Sequence, residues 1–280
     1  MDRLMIVDGS NLLFQMFYGM PARIINAQGR AIQGTLGFVG ALLKMVRMVQ
    51  PTHIAVLFDG EYVSSRTELA PDYKGNRADY SQMTEEDTPF SQLSDIFAAL
   101  DCLEICHRET SVCEADDWIA GYAKRYGTEL EVIIVSQDID FFQLITDHVQ
   151  ILRYRGEKTL RCDVEYIREK LAIAPKQYAA FKSLTGDTAD NICGVNGIGP
   201  KTAAALMEQF GDLDTLLAGA DEIRRPSIRK AVQENTERIR RNYRLICLEG
   251  EGNLPFTLEE MRWQYSGMTT TEVLKKIGVR

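Results

Sequence analysis

The 280-residue chain has no apolar run long enough to cross a bilayer. Near its N-terminus the longest, Leu36 to Leu43, has eight residues, where a spanning helix needs about 20. Met1 is followed by Asp2, Arg3 and a strand-like run, which is not a signal-peptide layout. Histidine is scarce, with three residues (His53, His107, His148), and no Cys-x-x-Cys pair occurs. The six cysteines are scattered and read as reduced cytosolic thiols, so a cytoplasmic protein is expected. Cys102, Cys106, His107 and Cys113 would suit zinc by residue type but not by spacing, and incidental thiols are the simpler reading.

Acid is also missing where one would look for it. From Gly9 to Phe58 there is none, against Arg23, Arg30, Lys44 and Arg47. The whole chain is nevertheless acidic, with 32 Lys plus Arg, 40 Asp plus Glu and a net charge of −8. Such a balance argues weakly against a polyanionic partner. The distribution says more. Residues 79 to 147 hold sixteen acids and three bases, net −13, which leaves +5 for the rest. Residues 221 to 244 carry eight bases against four acids.

Three short runs share one form: RLMIVD at Arg3 to Asp8, THIAVLFD at Thr52 to Asp59, and EVIIVSQD at Glu131 to Asp138. β-rich apolar runs separated by helical stretches predict buried parallel strands in an α/β sheet. Leu36, Val39, Leu42, Leu43 and Val46 predict a helix between the first two runs. Thr84 to Leu103 predicts another, capped by Thr84, with Phe90, Leu93, Ile96, Phe97 and Leu100 as its stripe. Residues 60 to 82 lose the apolar rhythm, and 60 to about 90 reads as an excursion from the sheet. Beyond about residue 175 the pattern becomes short helices with Gly-rich turns.

Asp8, Asp59 and Asp138 all fall at strand C-termini, the ligand edge of such sheets. Glu114-Ala-Asp116-Asp117 opens a helical pattern; one helix start alone would explain those acids through its dipole. Asp138 and Asp140 follow a strand. Asp187 and Asp190 sit in what reads as a loop-to-helix junction, where a simple cap is the plain alternative. Together these are nine carboxylates. Converging carboxylates repel and are costly to bury, so they either hold protons or are neutralised by cations. Oxygen-only donors select Mg²⁺ or Mn²⁺ over zinc. Two hard cations in an all-carboxylate site suit phosphodiester hydrolysis.

These motifs resemble the 5′-nuclease superfamily (flap endonuclease and 5′→3′ exonuclease) in its bacterial or phage form, similar to the N-terminal 5′-nuclease domain of bacterial DNA polymerase I. The resemblance runs through VDGSN (7–11), FDG (58–60), RTELAPDYKGNR (66–77), EADD (114–117), SQDIDFFQL (136–144), TGDTADNICGV (185–195) and GIGPKTAAAL (197–206). It covers roughly residues 4 to 245 in unbroken order. Cys113, Ile139 and Cys193 depart from the usual Gly, Lys and Pro without removing an acid.

The resemblance implies a Rossmann-like (PIN-like) α/β fold: a parallel sheet with helices on both faces, a helical arch insertion and a C-terminal helix–hairpin–helix subdomain. The implied divisions are a nuclease core over 1–180 with the arch at about 60–110, a DNA-binding subdomain over 181–250, and a tail over 251–280 packing on the core. It implies a first metal site from Asp8, Asp59, Glu114, Asp116 and Asp117, and a second from Asp138, Asp140, Asp187 and Asp190. Lys74 and Arg77, with Asp8 and Asp59, are the implied catalytic groups. Arg66, Tyr73, Lys74 and Arg77 would contact DNA near the scissile phosphate, and Gly197, Ile198, Gly199, Lys201 and Thr202 would grip duplex. The expected cofactors are two or more Mg²⁺, with Mn²⁺ able to substitute, and K⁺ at the helix–hairpin–helix. The expected partners are 5′ flaps, nicks, gaps and duplexes with a single-stranded 5′ end, and RNA primers, with no membrane. The chain is expected to be a free-standing monomer, with no polymerase domain after Arg280. Two rivals stay open: a related RNase acting on RNA or RNA–DNA primers, and a branched-DNA-binding protein that does not cut.

Overall fold

A computed structural model describes residues 2–60, 65–76, 84–111, 113–250 and 252–279, with only the backbone of Ser65 and Glu85. The strands are β1 (Arg3–Asp8), β2 (His53–Phe58), β3 (Cys106–Glu109), β4 (Glu131–Val135), β5 (Val149–Arg153) and β6 (Leu160–Cys162). They form one sheet in the order β3-β2-β1-β4-β5-β6, parallel except for β6 at its edge. The order reverses at β1, so a crevice opens between the C-terminal ends of β1 and β4, where ligands of such sheets bind.

The runs are continuously apolar because both faces are covered. Leu4, Ile6, Ala55, Leu57, Val132 and Ile134 face α5 (Ala115–Tyr126), α7 (Tyr178–Thr185) and α8 (Pro200–Phe210). The alternating Met5, Val7, Ile54, Val56, Ile133 and Val135 face α1 (Gly9–Gly19), α2 (Gln33–Val49) and α4 (Leu93–Cys102). A period of two thus splits each strand between two cores. Gly9 is needed where β1 passes into α1: a Cβ there would lie 2.5 Å from the Phe58 ring.

The predicted helix over 84–103 is corrected. It is two 3₁₀ turns, Glu85–Asp87 and Pro89–Gln92, and only then α4. Pro89 bars the preceding residue from helix, and Thr88 is extended at φ −104°, ψ 152°. Gln92, which ends the second turn, is buried and caps α2 from a distance. Its Oε1 accepts from Thr35 N at 2.9 Å, a start that no neighbouring side chain caps. α4 packs on the sheet and β3 pairs with β2, so the sheet layers resume at Leu93, after the excursion read over residues 60 to about 90. Within it the structure describes α3 (Ser65–Leu69) and the turns over 71–76.

After α6 (Val164–Leu171) and α7, the acids near 187 stand on a two-stranded hairpin, β7 (Gly186–Asp187) with β8 (Ile192–Cys193), not at a loop-to-helix junction. Gly186 holds φ +81° there, a value that favours glycine. Then come α8, α9 (Leu213–Ala218), α10 (Pro226–Glu234) and α11 (Thr236–Ile246). Leu206, Leu216 and Val232 join the same buried cluster as Ile6 and Ile134, so sheet and helices share one core. The C-terminal stretch returns to the sheet. Trp263 N donates to Thr52 O, its Nε1 donates to Leu103 O at 2.8 Å, and α12 (Thr270–Lys276) buries Val273 and Leu274. Among the described residues no helix is long and apolar enough to cross a membrane.

Candidate active site

Asp8 ends β1 and caps α1. One carboxylate oxygen accepts from Asn11 N at 2.9 Å and the other from Ser136 Oγ at 2.8 Å. The sheet register explains the second bond: Val7 pairs with Val135, so Ser136 emerges beside Asp8. Ser136 Oγ in turn accepts from Asp138 N at 3.0 Å. Asp59, just past β2, accepts from Ala115 N at 2.9 Å and so caps α5, whose own Glu114 makes no cap bond. Both helices therefore start at the acids, with their positive ends toward them.

Glu114 and Asp117 turn to cations from the excursion. Arg66 grips Asp117 through two bonds of 3.0 and 2.8 Å, lies 3.2 Å from Glu114, and donates its Nε to Leu245 O. Lys74 Nζ stands 2.8 Å from the same Glu114 oxygen. Lys74 has φ +56°, and its backbone N donates to Asp190 O at 3.1 Å. Asn191 donates from its side chain to Asp72 O and Asn76 to Thr188 O, tying the 71–76 turns to the β7–β8 hairpin.

On the far side, Asp140 N donates to Asp138 Oδ1 at 2.8 Å. Asp187 accepts from Ala189 N at 2.8 Å and pairs with Lys182 Nζ at 2.6 Å. No local motif marks Lys182 in the sequence. It lies four residues before Gly186, at the C-terminal end of α7, a position that favours a cation.

The electrostatics tie both groups together. Burial, then the charge of Asp59, pushes the Asp8 carboxyl up to about 7. Burial and Asp138 raise Asp116, against the pull of Lys74. Burial, Asp138 and Asp187 raise Asp140. Asp138 acts on Asp8, Asp116 and Asp140 alike and so stands between the groups. Asp140 Oδ1 is buried with no hydrogen-bond donor among the described residues. Among the described residues, no three carboxylate, imidazole or thiol groups already converge to hold an ion; Glu114 and Asp187 lean on lysines instead. The donor set still fits hard divalent cations. It is all oxygen, burial destabilises the charged forms of Asp8, Asp116 and Asp140, and one buried carboxylate oxygen has no donor among the described residues.

Three residues expected to touch DNA lie elsewhere. Arg66 is 8% exposed and Tyr73 9% exposed, the latter packed with Ala179, Ile192, Leu245 and Ile246. Both act beneath the surface, Arg66 as a clamp on the acids. Ile198 is 4% exposed and anchors its loop in the core. Gly197, with φ +85°, Gly199 and Lys201 are exposed at the start of α8, where Pro200 occupies the first turn, and Thr202 is half-buried. Arg77 lies outside the described residues.

Comparison with known proteins places this geometry. Residues 3–172 match the family described as 5′-3′ exonuclease, N-terminal resolvase-like domain. Residues 173–268 match 5′-3′ exonuclease, C-terminal SAM fold. DNA polymerase I of Rhizobium leguminosarum is 35% identical over 268 residues, covering 93% of this chain and 26% of that protein. The thermostable DNA polymerase I of Thermus thermophilus is 34% identical over 239 residues, 85% of this chain and 28% of that one. The chain thus spans about a quarter of the length of these relatives. A bacteriophage T5 5′-exonuclease with bound zinc superposes with TM-score 0.70 and 27% identity over 87% of this chain and 89% of that chain. The phage T5 flap endonuclease in a pseudo-enzyme–product complex with DNA and metal ions gives 0.70 and 26%, over 88% and 89%.

Proposed function

The chain belongs to the 5′-3′ exonuclease and flap endonuclease family of metal-dependent nucleases, and from that premise we propose that it hydrolyses DNA phosphodiesters at or near 5′ ends, in flaps, nicks and gaps, with Mg²⁺ as the working ion. The observation that carries this reading is the crevice at the reversal of strand order. There Asp8 and Asp138 emerge side by side, joined through Ser136, with Asp59 and Asp116 acting on the same charges.

In this reading Asp8, Asp59, Glu114, Asp116 and Asp117 serve a first ion, and Asp138, Asp140, Asp187 and Asp190 a second. Such ions, when bound, lower the pKa of an attacking water and stabilise the attacking and leaving oxygens. The chain supplies the rest. Asp8 and Asp59 are fixed by backbone donors at two helix starts, so they need little reorganisation on binding a cation. Lys74, held in a left-handed conformation by Asp190 O, offers its ammonium to the non-bridging oxygens of the scissile phosphate as charge develops there. Displacing Lys74 and Lys182 from Glu114 and Asp187 frees those acids for the ions and the ammonium groups for the substrate. The exposed start of α8, with Gly197, Gly199 and Lys201, offers backbone N–H groups and one charge to a duplex phosphate.

The test is a 5′-labelled flap DNA incubated with Mg²⁺, with Mn²⁺ or with EDTA. Ion-dependent products that shift with flap length are expected, and no ion-dependent cleavage refutes the reading. Flaps carrying a 5′ RNA segment, run in parallel, decide whether RNA primers are substrates. Gel filtration decides the expected monomer.

A further inference from the structure

Gln137 lies between Ser136, which holds Asp8, and the acid Asp138, and all four of its hydrogen-bonding groups are used. Its backbone N donates to Asn11 Oδ1 at 3.0 Å, and its backbone O accepts from Arg153 Nη2 at 3.2 Å. Its side chain reaches the turn between β5 and β6. Nε2 donates to Tyr154 O at 2.8 Å, and Oε1 accepts from Arg155 Nε at 2.9 Å. On one flank Ser136 holds Asp8, and on the other Asp138, itself an acid of the second group, accepts from Asp140 N.

The turn is itself built. Arg155 N donates to Thr159 Oγ1 at 3.1 Å, Thr159 Oγ1 donates to Gly156 O at 2.6 Å, and Gly156 takes φ +61°. It presents exposed Arg155 and Lys158, with Glu157 between them, beside exposed Lys44 and Arg47 of α2. Between turn and helix lies a cavity of about 450 Å³. A cationic turn of this kind suits a phosphate backbone. Gln137 is the side chain that joins this surface to the acid-bearing loop, and Arg155 divides its reach between solvent and Gln137.

We propose that Gln137 is a positioning residue that locks the basic β5–β6 turn to the loop after β4, so that a phosphate backbone seated on the turn sets the spacing of Asp8 and Asp138. The inference rests on the nuclease reading above. Gln15 provides the control. Its Nε2 donates to the same Tyr154 O at 2.7 Å, yet it belongs to α1 and has no bond to the 136–138 loop.

The experiment measures single-turnover cleavage of a saturating 5′-flap DNA against Mg²⁺ concentration, flap affinity in EDTA, and melting temperature. It compares the wild type with Gln137→Ala, Gln15→Ala, Arg155→Ala and the Gln137→Ala/Arg155→Ala double variant. Supporting partners of metal ligands typically change affinity or rate by about 10–100-fold. Gln137→Ala is therefore expected to lose at least about 10-fold in rate and to need several-fold more Mg²⁺, with flap affinity in EDTA near the wild-type value. Gln15→Ala is expected to keep the wild-type Mg²⁺ requirement. If turn and loop act through one link, the double variant is no slower than the slower single variant. Gln137→Met keeps the side chain's length and replaces alanine if alanine lowers the yield of folded protein. A wild type that fails to cleave removes the nuclease reading. A wild type that cleaves, with a Gln137 variant matching it in rate and Mg²⁺ requirement, overturns this inference alone. So do a loss confined to melting temperature and rate losses that multiply in the double variant.

Discussion

The two groups of carboxylates are held by different means. Asp8 and Asp59 are pinned by main-chain donors at the starts of α1 and α5 and by Ser136, so the sheet and its first helices fix them. Asp187 and Asp190 ride on a hairpin of two-residue strands, balanced by Lys182 and strapped to the 71–76 turns by Asn76, Asn191 and the Lys74 backbone. Those two acids of the first group are prepared before any ligand arrives, while Glu114 and Asp117 of the same group lean on Arg66 and Lys74 of the excursion. The second is positioned by contacts with the segment that would meet the substrate, so its geometry is open to adjustment when DNA binds.

The sharpest way to break this contrast is to remove charge without removing scaffold. Asp8→Asn keeps an oxygen for Asn11 N, so the fold should survive. The loss of one ion-holding charge is worth about 4 kcal/mol of transition-state stabilisation, or about 10³-fold in rate. Single-turnover cleavage in Mg²⁺ checks it, and a loss below tenfold would remove Asp8 from the centre of the site. The next largest effect lies in the clamp. Arg66→Ala leaves buried Glu114 and half-buried Asp117 beside the other acids without their guanidinium, which costs about 3 kcal/mol. That lowers the melting temperature by on the order of 10 °C. Arg66→Lys keeps the charge but loses the two-pronged grip and should fall between. A wild-type melting curve for Arg66→Ala would show that the excursion does not hold the first group.

Much of the pinned group was legible in the sequence, and little of what braces the other. Continuous runs such as LMIV and VIIV are readable because both faces of β1 and β4 are buried, which no alternating pattern could mimic. β3, reading Cys-His-Arg-Glu, escaped the same logic because it is a half-exposed edge strand. The Gln92 cap on α2 was invisible because its partner, Thr35, lies 57 positions away. The acids themselves stood out through their joint resemblance to a family. Ser136, Gln137 and Lys182 did not, since their roles depend on the register of β1 with β4 and on the path of α7. Pro89 did carry a local signal, and it outweighs the apolar spacing that suggested one long helix.

Ion binding should distinguish a prepared group from an adjustable one through pH. The Asp8 carboxyl sits at about 7 against an ordinary 3.8. Between those values the folded state keeps a proton that the unfolded chain has lost. The stability tied to that proton is therefore full below the ordinary value and is lost as pH rises through about 7. A divalent ion replaces the proton and relieves the repulsion among the acids. Mg²⁺ should accordingly raise the melting temperature more at about pH 8 than at about pH 5. Equal shifts at both would mean that the acids are not under the strain that their burial implies.

The smallest expected effect probes the strap alone. Asn191 holds φ +59° and donates its side-chain amide to Asp72 O at 2.8 Å. Asn191→Gly accepts the same backbone angle and removes only that bond. The residue is exposed, so water replaces the lost donor, and the fold should lose no more than about 1 kcal/mol. Yet the bond joins the hairpin carrying Asp187 and Asp190 to the turn that aims Lys74. If the second group is set by that contact, cleavage should fall several-fold while the melting temperature shifts by only about 2–4 °C. If the hairpin is as firmly fixed as the ends of β1 and β2, rate and stability should both stay near wild type. Measuring both on one variant separates a group held by the fold from one held by its neighbours.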